Sequence, residues 1–134
     1  MSKIEEIEGI GPAYAEKLRA ADVATVESLL ETAGPAAGRA ALAGKTGIDA
    51  KLLLEWTNHA DLFRLKGVAS EYADLLEAAG VDSCPELAHR TADNLAAKLV
   101  EVNEAKHLVR SLPSAKTIAG WIDEAKTLPK VVTH

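Results

Sequence analysis

A single cysteine, Cys84, stands among the 134 residues, which excludes an internal disulfide and leaves no thiol pair for a zinc knuckle. A reducing cytoplasm fits that usage. Aromatic residues make up 4% of the chain, so a core must come from Ala, Leu, Val and Ile, within a hydrophobic fraction of 48%. No apolar run approaches the roughly 20 residues needed to cross a bilayer, and Met1 to Glu6 carries charge instead of a signal core. A soluble protein with no membrane partner is expected. Sustained period-two alternation of β-branched residues is also missing, which argues against a sheet. A basic excess is lacking as well. Fifteen Lys and Arg against 20 Asp and Glu give a net charge of −5, whereas dedicated nucleic-acid binders usually show a basic face. Any phosphate site must therefore be local.

The same scarcity argues against catalysis. His59, His89, His107 and His134 are scattered and form no His-x-x-x-His or Cys-paired ligand pattern. The acidic residues are spread along the chain instead of gathered into the carboxylate cluster of a metal-dependent nuclease. Cys84, just before Pro85 at a predicted helix start, has no base supplied by any sequence signature, and a buried small residue is its expected role. The expectation is a non-enzyme with no catalytic residues and no metal site.

What is present is a turn. In Ile7-Glu8-Gly9-Ile10-Gly11-Pro12-Ala13-Tyr14 two glycines and a proline separate two helix-compatible runs. Gly9 can end the first in a left-handed conformation, Gly11 permits a sharp bend, and Pro12 suits the first position of the next helix. The amides of Gly11, Ala13 and their neighbours are then left at a helix N-terminus, where the macrodipole favours an anion such as phosphate. Good turn chemistry between packed helices is the alternative reading of the same residues.

Gly9-Ile10-Gly11-Pro12 followed by Ala15, Lys17 and Leu18 resembles the helix-hairpin-helix motif of DNA repair and replication proteins. The whole chain further resembles a bacterial domain-of-unknown-function family built from two such modules in tandem. The resemblance implies a SAM-like, tandem helix-hairpin-helix fold and a grip on backbone phosphate without sequence reading, through Gly9, Ile10, Gly11 and Ala13 with Lys17 assisting. It also permits a monovalent cation held by carbonyls from Ile7 to Gly11. Ala13 departs from the pattern, because DNA-binding members often carry Lys or Arg there.

An internal repeat organises the remainder. A shift of 58 matches Gly9 with Gly67, Tyr14 with Tyr72, Ala15 with Ala73, Leu18 with Leu76 and Val23 with Val81; Trp56 meets Trp121 when the shift grows to 65. The expected division is a first helix-hairpin-helix repeat over 1–64, a second, degenerate one over 65–128, and a frayed tail over 129–134. In the second copy Gly67-Val68-Ala69-Ser70 replaces the turn, Glu71 falls at the helix N-terminus and Leu75 stands in place of Lys17. A carboxylate there would satisfy the helix dipole and repel phosphate.

Read in order, the chain predicts about eight to ten short helices in an all-α bundle. Ser2 with Glu5 forms a possible capping box, Pro12 to about Ala21 the next helix, and Thr25 caps a helix that Gly34-Pro35 breaks. Pro35 to Ala43 is helix-compatible, and an Asp49 cap with Ile48 and Leu53 as a hydrophobic staple opens a longer helix in which Leu53, Trp56, Ala60 and Phe63 recur at three and four. Ser70 to Ala79, a helix capped by Ser83, one capped by Thr91 with Leu95, Leu99 and Val102 inward, and one started by Ser114 complete the pattern. Trp56 and Trp121 lie on apolar stripes and are expected in the core, and Tyr14 and Tyr72 are expected to pack between the copies. Lys98, Lys106 and Arg110 would share a face if one helix carried all three, forming a secondary basic face; an ordinary mixed-charge surface is the alternative.

Two functions follow. One is a non-catalytic, sequence-independent module binding the DNA backbone, duplex for preference. The other is a protein–protein adaptor presenting the same helical scaffold with no nucleic-acid binding.

Overall fold

The computed structural model describes residues 2–133. Among them are eight α-helices and one 3₁₀ turn, and no strand is present beyond an isolated antiparallel bridge between Lys3 and Thr25. The 3₁₀ turn is Ile4–Glu6. It is followed by α1 (Pro12–Ala20), α2 (Val26–Ala33), α3 (Ala36–Thr46), α4 (Ala50–Leu62), α5 (Ser70–Ala78), α6 (Cys84–Ala88), α7 (Ala92–Lys106) and α8 (Ala115–Thr127). The chain is all-α. It divides into two compact units, Met1–Asp61 with Val131–His134, and Leu62–Lys130.

In the first unit, local capping sets the helix boundaries. Thr25 and Ser28 cap α2 reciprocally: the Thr25 hydroxyl accepts from the Ser28 amide, and the Ser28 hydroxyl accepts from the Thr25 amide, each at 3.0 Å. Asp49 accepts from the Lys51 amide at 2.9 Å at the start of α4, with Ile48 and Leu53 buried on either side. Gly47, at φ +73°, closes α3; Gly44 is helical, so α3 runs to Thr46 and not only to Ala43. Ile4 of the 3₁₀ turn, Leu18 of α1, Leu29 of α2, and Leu53 and Trp56 of α4 are buried, and the 3₁₀ turn packs against both α1 and α2.

The expected capping box between Ser2 and Glu5 does not form. The Ser2 amide donates to the Glu27 carboxylate, the Ser2 carbonyl accepts from Val26, and Lys3 stands before a three-residue 3₁₀ turn with no side-chain cap. Pairing with the start of α2 competes successfully for the groups a helix would need. The chain end also differs from the frayed tail read from sequence. Val132 is buried, the Thr133 amide donates to the Gly34 carbonyl at 2.9 Å, and the Thr133 hydroxyl accepts from the Ala36 amide at 3.0 Å. Arg39, 7% exposed, donates to the carbonyls of Ala33, Gly34 and Thr133. Its guanidinium thereby satisfies orphan carbonyls at the end of α2 and fastens the returning segment.

The second unit has one core, in which Leu65, Leu76, Leu87, Leu99, Ile118 and Trp121 are members. Ser83 and Ser114 cap α6 and α8 through their hydroxyls, whereas Thr91 precedes α7 without a side-chain cap bond. α7 ends at His107, which takes a left-handed conformation at φ +51°. The Asn103 side chain then receives the Val109 amide at 3.0 Å and donates to the Val109 carbonyl at 3.1 Å, so the chain turns away before Arg110.

Candidate nucleic-acid interface

The turn from Ile7 to Pro12 is built by alternation of buried and exposed residues. Ile7 and Ile10 are buried, while Gly9, Gly11 and Ala13 are exposed. The Ile7 amide donates to the Ile4 carbonyl and the Ile10 amide to the Ile7 carbonyl, both at 3.2 Å, which pulls the chain into a tight bend. Gly9 sits at φ +92° against the Trp56 indole. Gly11 is the N-cap of α1 in extended conformation, and its carbonyl accepts from the Ala15 amide at 2.9 Å. Pro12 occupies the first helical turn, where its missing N–H costs nothing. Among the described residues no acceptor is bonded to the amides of Gly11 and Ala13, and the first turn of α1 carries no acidic side chain. Gly11 and Ala13, which carry these donors, are exposed residues, and a Cβ on Gly11 would meet nothing within 4 Å. Glu8 and Glu16 flank them and are exposed as well.

Lys17 lies about 6 Å further along the helix axis than Ala13, by helix geometry. Its Nζ is 5.9 Å from the centroid of the Tyr14 ring. Lys17 also lines a shallow depression with Ala20, Ala21, Asp22 and Lys45, toward the C-terminal end of α1. Tyr14 is itself 36% exposed and meets the Trp56 ring edge-on, with centroids 5.0 Å apart. Arg19 donates to Glu5 and ties α1 to the 3₁₀ turn, and that hydrogen bond holds the Glu5 carboxyl below its usual range.

The backbone of this turn recurs 58 residues later. Leu65 donates to Leu62 at 3.1 Å, Val68 to Leu65 at 3.2 Å and Ala73 to Ala69 at 2.9 Å; Gly67 is at φ +86°. Tyr72 meets Trp121 at 5.4 Å, as Tyr14 meets Trp56. Each tyrosine thus packs on the tryptophan of its own unit, a partner that the expectation of packing between copies did not name. Both tryptophans are buried, at 3% exposure. The chemistry at the second turn is different. Glu71 lies in the first turn of α5, Leu75 is buried where α1 has Lys17, and the Lys66 amide donates to the Glu124 carboxylate at 3.0 Å.

Lys98 and Lys106 are exposed on α7, but Arg110 lies beyond its left-handed end, so no continuous helix carries all three. Lys98 also stands 3.9 Å from the Glu101 carboxylate. Among the described residues no group of three or more His, Cys, Asp or Glu side chains is placed to hold a metal ion; His134 lies outside them. Cys84 is buried in the second core. Of the carbonyls from Ile7 to Gly11 that a monovalent cation would use, those of Ile7 and Gly11 each already accept a backbone N–H. No helix is long and apolar enough to cross a membrane among the described residues.

A family model described as a domain of unknown function (DUF4332) matches residues 8–128. No curated protein and no solved structure matches the chain.

Proposed function

The chain belongs to the DUF4332 family, and we propose that it is a non-catalytic, sequence-independent nucleic-acid-binding module built from two helix-hairpin-helix repeats, of which the first contacts backbone phosphate. The observation that carries this reading is that Gly11 and Ala13 are exposed and that, among the described residues, no acceptor is bonded to their amides, at a helix start with no acidic residue in its first turn. A phosphate oxygen placed there would meet oriented N–H donors and the positive end of the α1 dipole. Lys17 adds a cation from the same helix. Because the contact is to backbone phosphate, affinity should be independent of sequence, and duplex DNA is the expected ligand.

Only about two or three phosphates would be neutralised, so affinity belongs in the weak, non-specific range and falls with salt. Titration of labelled duplex at low salt tests this directly. Wild type should bind, and a Gly11→Glu, Lys17→Glu variant should not. Equal binding by the two proteins, or no binding to duplex or single strands, removes the proposal.

A second reading is a protein–protein adaptor, favoured by the net charge of −5 and by the carboxylates at the second turn. Capture from a nuclease-treated lysate separates the readings. Partners lost with the nucleic acid support the DNA module; partners retained support the adaptor.

A further inference from the structure

The chain leaves the first unit at Asp61 and returns to it at Val131. At that return, residues 131–133 lie outside any helix, against the corner where α2 ends and α3 begins. The corner engages the segment in several ways at once. The Gly34 carbonyl accepts from the Thr133 amide at 2.9 Å, the Ala36 amide donates to the Thr133 hydroxyl at 3.0 Å, and Arg39 Nη2 donates to the Thr133 carbonyl at 2.7 Å. The N–H, hydroxyl and C=O of Thr133 are thus all paired. Val132 beside it is buried, at 3% exposure. Gly34 permits the close approach, because a Cβ on it would stand 2.8 Å from Val131 Cγ1 and 2.9 Å from the Val131 carbonyl oxygen. Arg39 also donates to the carbonyls of Ala33 and Gly34, which belong to the corner itself, so two of its bonds do not depend on the segment.

We infer that this corner is a docking groove for a Val-Val-Thr segment and that its partner is a second copy of this chain, whose residues 131–133 enter it by exchange. A second copy carries the identical residues and makes the identical bonds, so exchange loses no contact. The hinge favours it. Only Leu128, Pro129 and Lys130 join α8 to the segment, and short hinges invite swapping. Pro129 confines Leu128 to the extended region, where it is found at φ −80° and ψ 132°, so little hinge freedom remains to be lost on entering another copy. Against this stands the tether, which gives the chain's own segment an effective concentration on the order of 1 mM. Exchange therefore belongs to concentrated or locally crowded chains, and dilute chains keep their own segment docked. The inference is independent of the reading of the first turn.

The test mixes two full-length variants. Val132→Asp spoils the segment and keeps the groove, whereas Arg39→Gln spoils the groove and keeps the segment. In nitrogen–proton NMR spectra of labelled Val132→Asp, the Ala36 amide should lie away from its wild-type position. Unlabelled Arg39→Gln should draw it back in a saturating way as its concentration rises through about 1 mM, and unlabelled Val132→Asp should leave it unmoved. Wild type refolded at about 1 mM should yield a dimer in sedimentation, and at roughly a hundredth of that concentration a monomer. Thr133→Pro, which removes the amide donor, replaces Val132→Asp if that variant does not fold, and a synthetic peptide of residues 129–134 replaces Arg39→Gln. An Ala36 amide that stays unmoved in the mixture overturns the inference, as does a wild type that remains monomeric after concentrated refolding. A response to the peptide without a wild-type dimer rejects the second copy as the occupant and leaves the groove to a segment of another protein.

Discussion

Gly9 lies so close to Trp56 that a Cβ on the glycine would stand 3.3 Å from the indole Nε1, at a backbone φ of +92°. Gly67 repeats the relationship with Trp121, at 3.8 Å and φ +86°. Gly11 is unlike either. A Cβ there meets nothing within 4 Å, and its φ of −85° suits any residue. Gly9→Ala should therefore destabilise the protein by about 1–3 kcal/mol through left-handed strain and a displaced indole. Gly11→Ala should change stability by no more than about 0.5 kcal/mol. Denaturant unfolding of both variants decides it, and equal losses would show that the two glycines are not distinguished by backbone conformation.

The end of α1 carries a strain that its counterpart avoids. The Val23 amide donates to the Leu18 carbonyl at 2.8 Å and the Asp22 amide to Arg19 at 3.0 Å, a Schellman arrangement with Asp22 at φ +65°. The second copy makes the equivalent bonds from Val81 and Gly80, with glycine at φ +92°. Asp22→Gly should raise stability by about 0.5–1 kcal/mol, the relief of the Cβ penalty less the extra freedom glycine gives the unfolded chain. A loss of stability on denaturant unfolding would mean that the Asp22 side chain contributes more than its backbone costs.

These comparisons show which parts of the molecule were legible in the sequence. The turn was, because Gly9 tolerates the left-handed conformation it takes there and Pro12 fixes a φ that suits the first turn of a helix, and the repeat located its counterpart at Gly67. Trp56 and Trp121 declared themselves by period. The end of α7 was hidden, since it depends on a left-handed histidine, His107, and on Asn103 reaching Val109, neither of which follows from hydrophobic spacing. The return of residues 131–133 to Gly34 and Arg39 was hidden for the same reason: it is held by bonds between residues 94 to 99 apart in sequence. At the candidate site, exposure of Gly11 and Ala13 was not readable at all, and neither was the carboxylate at Lys66. Residue types announce which backbone donors exist; tertiary packing decides which of them are left open.

Arg39 is buried with three carbonyl acceptors, and no carboxylate is a hydrogen-bond partner of it among the described residues. Removing it orphans the carbonyls at the end of α2 and releases the segment containing Val132. Arg39→Ala should cost about 2–4 kcal/mol, and deleting residues 131–134 a similar amount, since the two share the Arg39–Thr133 bond and each releases the returning segment. The double variant should then lose less than the sum of the two single ones. Additive losses in thermal or denaturant unfolding would show that Arg39 and the returning segment act separately.

Glu5 provides a pH test that does not depend on any ligand. The Arg19 hydrogen bond is the largest cause of its lowered pKa, followed by a bond from its own amide. A carboxyl whose folded pKa is depressed favours the folded state above its unfolded pKa, and that contribution is lost as the pH falls through the folded value. Arg19→Gln should move the Glu5 titration, followed by NMR of its side-chain carboxyl, upward toward the ordinary glutamate range. High salt should move it the same way, since the pair is exposed and screened. A titration unchanged by the substitution would separate the pKa from the ion pair.

Salt dependence distinguishes a single local phosphate contact from a broad basic surface. If the first turn and Lys17 neutralise about two or three phosphates, the logarithm of the duplex binding constant should fall against the logarithm of salt with a slope of about −2 to −3. Lys17→Gln should then reduce the slope by about 1 and weaken all sequences alike. Replacing Lys98, Lys106 and Arg110 together with Gln should leave it nearly unchanged, because Arg110 lies off α7 and Lys98 stands near Glu101. A slope that collapses in the triple variant while surviving Lys17→Gln would move the interface to the second unit. The amides of Gly11 and Ala13 would then be exposed turn chemistry without a ligand.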